Sequence, residues 1–478
     1  MTDGTSGSES NVYVLEESTG ERQLLFEKIN NFSEHFLSTL NSQKAFQNNT
    51  HKDKEDDLFF LIDENKTTID QILEFYQDRV LNTGLNPASG GHLGYIPGGG
   101  IYSAALGDYL AAVTNRYAGI FYASPGAVRM EDALIDWTAK LIGYKEGYGG
   151  NLTSGGSMAN LIALHTAKHH KGVDNTNVDK GVIYCSSQTH HSIQKALKVI
   201  GLETSIVREI SLDPQFKISL DALKLQIEKD TEEGLVPFLL IANGGSTDVG
   251  AVDPLLELSS IAKEFDLWYH VDAAYGGYFM LTALGKDKLK GLELADSVIL
   301  DPHKGLFMPY GLGMVLVKNV KHLMAAHTYK ANYMRDAMTE SQLSPADLSP
   351  ELSKHFRGLR MWLPLKLYGE QVFGDYLDEK LYLAYYLYQQ LISIGYKVLC
   401  EPDLSVVVFR LEIKGHESDV LNKFVLDYIK NDGRIFISST ILDNKLTLRA
   451  AILSFRTHKE EIDLLLLLLK RIKAHLDI

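Results

Sequence analysis

The chain has 478 residues, 45% of them hydrophobic and 23% charged, with a formal net charge of −14. These are globular values, which exclude a disordered or fibrous protein, and the length allows about three domains of ~150 residues or one large α/β unit with smaller appendages. The carboxylate excess repels a phosphate backbone, and no stripe of Lys and Arg with interleaved aromatics overrides it, so nucleic acid is excluded as a partner.

Two cysteines, Cys185 and Cys400, with no Cys-x-x-Cys spacing argue against a zinc site or a disulfide framework. The expectation is a cytoplasmic protein with no bound metal. Residues 1–11 are polar and Ser/Gly-rich, unlike a secretory signal. The leucine run 464–469 is far shorter than the ~20 apolar residues that cross a bilayer and reads as a buried C-terminal helix, so no membrane association is expected.

In chain order, helical periodicity comes first, at 24–40 and 68–81, with the charged stretch 51–57 between. Residues 1–89 therefore form an N-terminal helical arm. From residue 90 short apolar runs alternate with amphipathic segments, the pattern of crossover helices covering a largely parallel sheet. The predicted strands are 182–185, 206–210, 238–243, 268–271, 297–300 and 313–318. This region, 90–372, is the large domain of an α/β protein. Beyond it come a long helix at 376–394, strands at 405–411 and 445–453, a helix between them and one after, which make 373–478 a small α+β domain.

Ligands of open α/β sheets sit beyond the carboxyl ends of the strands. There the sequence reads Gln188-Thr189-His190-His191, Gly245-Ser246-Thr247, Asp272-Ala273-Ala274 and Asp301-Pro302-His303-Lys304. Each residue alone has a structural explanation: Asp272 as a helix N-cap, His190 as a satisfied partly buried histidine, Thr247 as a turn former, Lys304 as a surface charge. Together they are the parts of one reaction, in which a lysine amine condenses with an aldehyde and an electron-poor ring stabilises a carbanion. The segment Thr153-Ser154-Gly155-Gly156-Ser157 supplies a phosphate cradle, with small residues before a helix opening at Ser157. It matches neither G-x-G-x-x-G nor G-x-x-x-x-G-K-[ST], which disfavours a dinucleotide or a P-loop.

In this order the residues resemble the group II pyridoxal 5′-phosphate (PLP) decarboxylases, the family of aromatic-L-amino-acid, tyrosine, histidine and glutamate decarboxylases. The likeness runs from about 85 to about 457. It rests on His270-Val271-Asp272-Ala273-Ala274-Tyr275-Gly276-Gly277 and Asp301-Pro302-His303-Lys304, supported by Ser124-Pro125 with Trp137 and by Phe356-Arg357-Gly358-Leu359-Arg360-Met361-Trp362.

The resemblance implies fold type I, with a mainly parallel seven-stranded sheet, a small C-terminal domain, and an N-terminal layer that interlocks a homodimer whose active site lies at the interface. It further implies that Lys304 forms the Schiff base with PLP and that Asp272 pairs with the pyridine nitrogen. His190 matches a ring-stacking histidine, with Ala274 on the opposite face. Thr247 matches a cofactor-contacting threonine, and Gly156, Ser157 and His303 match phosphate-side positions.

Tyr333 matches the loop tyrosine that protonates Cα, where a phenylalanine is associated with aldehyde formation. Tyr95 and Ser353 match substrate-side positions; the serine mildly favours tyrosine or dopa over tryptophan. Ile96, Gly98 and Gly305 depart from the family's usual residues. The implied activity is conversion of a small-molecule L-amino acid, aromatic by preference, to its amine and CO₂. The alternatives are a glutamate or diaminobutyrate decarboxylase, an aldehyde synthase or an aminotransferase, and a catalytically silent binding protein, which the presence of Lys304, Asp272 and His190 disfavours.

Overall fold

A computed structural model describes residues 15–48, 60–62, 66–328 and 343–476. Helix α1 (Thr19–Thr39) opens with a capping box in which Ser18 and Glu21 each accept the other's backbone N–H. Strand β1 (Phe46–Gln47) follows. Helix α2 (Ile69–Tyr76) carries the same device at Thr68 and Gln71 and passes into a π-helical turn, Gln77–Leu81. The continuous helix expected over 68–81 thus divides in two. Strand β2 (Gly84–Leu85) pairs antiparallel with β1. Next come β3 (His92–Leu93), α3 (Tyr102–Thr114) and α4 (Pro125–Leu141), where Pro125 begins the helix at a position whose N–H would have no partner.

The chain then runs β4 (Gly149–Thr153), α5 (Gly156–His170), β5 (Gly181–Ser186), α6 (Ser192–Val199), β6 (Ile206–Ile210), α7 (Leu220–Glu232), β7 (Val236–Asn243) and α8 (Leu255–Glu264). It continues through β8 (Trp268–Asp272), α9 (Ala283–Lys288), β9 (Ser297–Leu300), α10 (Pro302–Gly305), β10 (Gly313–Val317) and α11 (Val320–His327). Strands β4 to β10 make one seven-stranded sheet in the order β4-β10-β9-β8-β7-β5-β6, in which only β10 runs against its neighbours. β5, β8, β9 and β10 are buried along their whole length, as expected when helices cover both faces.

All six predicted strands of the large domain are present. The seventh, β4, went unpredicted because Gly149-Gly150-Asn151 carries no β-branched or aromatic signal. Its glycines reflect close approach: a Cβ on Gly150 would lie 2.4 Å from the Val315 carbonyl oxygen.

Helices α12 (Gly358–Tyr368) and α13 (Glu370–Ser393) lead to β11 (Lys397–Val398), β12 (Val406–Arg410), α14 (Ser418–Asp432), β13 (Phe436–Leu442), β14 (Lys445–Ala451) and α15 (Lys459–His475). The small sheet has the order β11-β12-β14-β13-β3. Its edge strand β3 comes from the start of the region expected to be the large domain, pairing parallel to β13 at His92↔Phe436. Glycines on both sides of this two-residue run hide any periodicity. The leucine run lies in α15, where Leu465, Leu466, Leu468 and Leu469 are buried and Leu467 faces out. Among the described residues no helix is long and apolar enough to cross a membrane.

Candidate active site

Register brings the functional residues level. Asn243 of β7 pairs with Asp272 of β8, and Asp272 pairs with Ile299 of β9, so three parallel strands end at one edge of the sheet. Beyond that edge lies a cavity of about 250 Å³. Lys304, Asp272, His190, Thr247 and Ala274 line it, and so do Gly156, Ser157 and His303. All eight residues singled out as cofactor contacts therefore share one crevice.

Lys304 stands on the single-turn helix α10, which Pro302 starts. Its Nζ lies 3.0 Å from Asp301 Oδ2. Asp301 is 2% exposed, and its Oδ1 is buried with no hydrogen-bond partner among the described residues. Gly305 departs from the bulky residue usual after the family's lysine for a visible reason: a Cβ there would approach Tyr278 Cβ to 2.8 Å, so Tyr278 already fills that space. Gly98 is explained in the same way, since its Cβ would lie 2.0 Å from the His303 carbonyl oxygen. Ile96 belongs to the core.

Asp272 ends β8 and is 7% exposed. One of its oxygens accepts the Ala274 N–H at 3.1 Å and the other accepts Asn160 Nδ2 at 2.9 Å. His190 holds Ser192 Oγ at 2.7 Å through Nδ1. Burial pushes the His190 imidazole below its ordinary range, against the pull of the Asp272 charge. Burial lowers His303 too, opposed by the nearby Asp301 carboxylate.

At the other end of the cavity α5 begins without a side-chain cap, leaving its first N–H groups free to meet an anion. Gly155 there has φ +147°, and a Cβ on Gly156 would reach Asp301 Oδ2 at 2.9 Å. The strand leading into this turn is anchored from beneath. Buried Lys354 pairs with buried Glu131 at 2.7 Å and also donates to Asn151 of β4. Thr247 is held from the small domain by Arg449, whose Nε donates to the Thr247 carbonyl at 2.8 Å and whose Nη1 donates to the Tyr95 carbonyl at 2.7 Å.

The three remaining candidates stand apart. Tyr95 has its backbone in the left-handed region at φ 53° and is 58% exposed, outside the cavity. Ser353 is exposed as well. Tyr333 lies outside the described residues. Sequence reasoning did not single out Asn160, Ser192, Asp301 or Tyr275 as site residues, yet all four line the cavity. Asn160 had a usable signal, since it follows Gly156 by four residues on one helix and so faces the same side.

These residues fit a flat, anionic heterocyclic aldehyde. The lysine amine can condense with an aldehyde, the capless helix end with its glycine cradle can take a phosphate, and the buried carboxylate of Asp272, with the buried Oδ1 of Asp301 that has no hydrogen-bond partner among the described residues, calls for a donor or positive charge in the cavity. Among the described residues no group of three or more His, Cys, Asp or Glu side chains could hold a metal ion.

Fold and cavity together define a PLP-dependent enzyme of fold type I. Residues 58–412 match the pyridoxal-dependent decarboxylase conserved domain. The chain is 34% identical to the aromatic-L-amino-acid decarboxylase of Bacillus atrophaeus across 86% of both proteins. It is 30% identical to the phenylacetaldehyde synthase of Arabidopsis thaliana, covering 80% of this chain and 82% of that one. The crystal structure of Catharanthus roseus tryptophan decarboxylase superposes with a TM-score of 0.87 at 24% identity, covering 96% of this chain and 99% of the other. The glutamate decarboxylase domain from Vibrio parahaemolyticus superposes with a TM-score of 0.82 at 21% identity, covering 96% and 97%. The chain belongs to the pyridoxal-dependent decarboxylase family, and its cofactor is PLP.

Proposed function

We propose that the protein decarboxylates an aromatic L-amino acid, tyrosine or dopa by preference, to its amine and CO₂. The observation that carries this reading is the convergence of Lys304, Asp272 and His190 on one cavity, in a chain most of which aligns with an aromatic-L-amino-acid decarboxylase. When bound, the cofactor supplies an electron-poor ring that stabilises the carbanion left by departing CO₂. Lys304 would hold the cofactor's aldehyde. Asp272 would keep the ring nitrogen charged, His190 and Ala274 would flank the ring, Thr247 would contact it, and Gly156, Ser157 and His303 would take the phosphate. Tyr333 returns a proton to Cα.

Arm, large domain and small domain divide at 89/90 and 372/373 in this reading, and the protein works in the cytoplasm. It works as a homodimer. None of the 21 residues of α1 is buried against the described residues, and α3 exposes Tyr109, Leu110 and Val113, which a second copy would cover. Tyr95 and Ser353, exposed on this protomer, are assigned to the substrate side of that shared site. Sedimentation should show a dimer, and a fully active monomer would contradict the shared site.

Incubation with a panel of L-amino acids is the test of the reaction. Equal amounts of CO₂ and amine are expected, with tyrosine or dopa turned over fastest. The likeness to phenylacetaldehyde synthase supports a second reading, aldehyde formation. Aldehyde with ammonia and peroxide in place of amine would reject the role given to Tyr333, and preferred turnover of glutamate or diaminobutyrate would reject the aromatic pocket.

A further inference from the structure

A buried chain of hydrogen bonds runs behind the cavity, and the chemistry of its ends fixes its direction. Trp268 Nε1 lies 2.9 Å from Ser297 Oγ, and Ser297 Oγ lies 2.8 Å from His270 Nδ1. His270 Nε2 is 2.9 Å from Asn160 Oδ1. Asn160 Nδ2 branches to Asp272 Oδ2 at 2.9 Å and to Ser192 Oγ at 3.1 Å. Ser192 Oγ reaches His190 Nδ1 at 2.7 Å.

The indole N–H can only donate and a carboxylate can only accept. The Asn160 group facing Asp272 is therefore its NH₂, and its carbonyl faces His270. His270 must donate from Nε2. Burial lowers that ring to about 4, so it is neutral and its Nδ1 takes the Ser297 hydroxyl proton, leaving the Ser297 oxygen for Trp268. At the other end the Ser192 backbone N–H also points at His190 Nδ1, at 3.3 Å. A backbone N–H cannot reverse, so Nδ1 is the bare nitrogen of His190. The Ser192 oxygen accepts from Asn160 while its hydroxyl donates to His190, and the single proton of the neutral ring sits on Nε2.

We propose that Asn160 is a positioning residue that joins Asp272 and His190 in one directed chain, fixing His190 as its neutral Nε2–H tautomer so that the ring offers the cavity a donor and no base. The consequence for turnover rests on the decarboxylase reading; the chain itself does not. An amino-acid substrate brings a carboxylate, which an N–H donor binds. A bare Nε2 in the same place would compete for the protons of Cα and of the amino group.

The groups facing His190 pull in both directions. Asp272 and Asp301 favour an imidazolium, while Lys304 and the His191 ring, 4.1 Å away between centroids, oppose it. Burial is the largest influence and favours the neutral ring; the chain adds to it, because a proton on Nδ1 would meet the Ser192 N–H and a hydroxyl already turned toward it. Losing Asn160 frees that hydroxyl to rotate and accept.

The test is nitrogen NMR of the full-length protein labelled at histidine, before and after loading with PLP, over a pH series. Wild-type His190 should show the Nε2–H tautomer in both forms. Asn160→Leu, which keeps the side-chain volume, should raise the His190 titration midpoint by about one pH unit, a tenfold gain in proton affinity. Ser192→Ala should shift it in the same direction while the Asn160–Asp272 bond stays intact, and it decides the matter if Asn160→Leu fails to fold. A wild-type proton on Nδ1, or a folded variant of either kind titrating as wild type does, overturns the proposal. Absence of decarboxylation with the NMR result intact would instead reject only the reaction assigned to the site.

Discussion

Lys304→Ala is expected to lose CO₂ release by roughly a thousandfold or more, the scale seen when a covalent nucleophile is removed from a group that acts as a unit. The amine stands 3.0 Å from buried Asp301 on a helix of one turn, so it is held at the cavity wall rather than left to solvent. No neighbour can replace it: among the residues lining the cavity it is the only primary amine. The variant should still take up PLP weakly through the uncapped start of α5, absorbing as the free aldehyde and without the red-shifted band that a covalent lysine link gives. Asp301 loses its ion-pair partner and among the described residues keeps His303 Nε2 at 3.7 Å, so a buried carboxylate is left poorly compensated and the thermal midpoint should fall measurably as well. A small primary amine added to the assay should restore part of the turnover, which a misfolded variant could not show. Retention of the band in a folded Lys304→Ala protein would remove the basis of the proposed chemistry.

The sheet and most of the cavity were legible in the sequence because each depends on a local signal. Ile206–Ile210 and Ser297–Leu300 form strands at the residues read from their apolar runs. Asp272 directly follows one such run, and Lys304 closes the four-residue segment after another, which is how both drew notice. What escaped was set by tertiary contact. β4 is a strand because Val315 and its neighbours accept a glycine-rich partner, and β3 because β13 offers it an edge; neither condition is written in the segment itself. Asn160 and Ser192 escaped for a related reason. They sit 32 residues apart on different helices, and only the folded chain shows that they meet Asp272 and His190. Tyr95 and Ser353 mark the opposite case, in which motif position gave a candidate whose own protomer turns it outward.

Asp272→Asn separates holding the cofactor from using it. The carboxylate accepts twice, from the Ala274 N–H and from Asn160 Nδ2. An amide in its place has one oxygen, so one of those donors is lost, at a cost of about 1–3 kcal/mol that a domain of this size withstands. The phosphate cradle and Lys304 are untouched, so the variant should load PLP and keep the absorption band of the lysine link. Turnover should nonetheless fall roughly a hundredfold to a thousandfold, the usual effect of removing one preorganised electrostatic partner. The reason lies in charge: a neutral amide cannot hold a proton on the ring nitrogen, and the unprotonated ring is a weaker electron sink. A cofactor analogue carrying a methyl group on that nitrogen is permanently charged and should recover more activity in Asp272→Asn than in the wild type. Near-normal turnover of Asp272→Asn with ordinary PLP would show that the charge at this position does not drive loss of CO₂, and the carboxylate would then serve only to hold Asn160 in place.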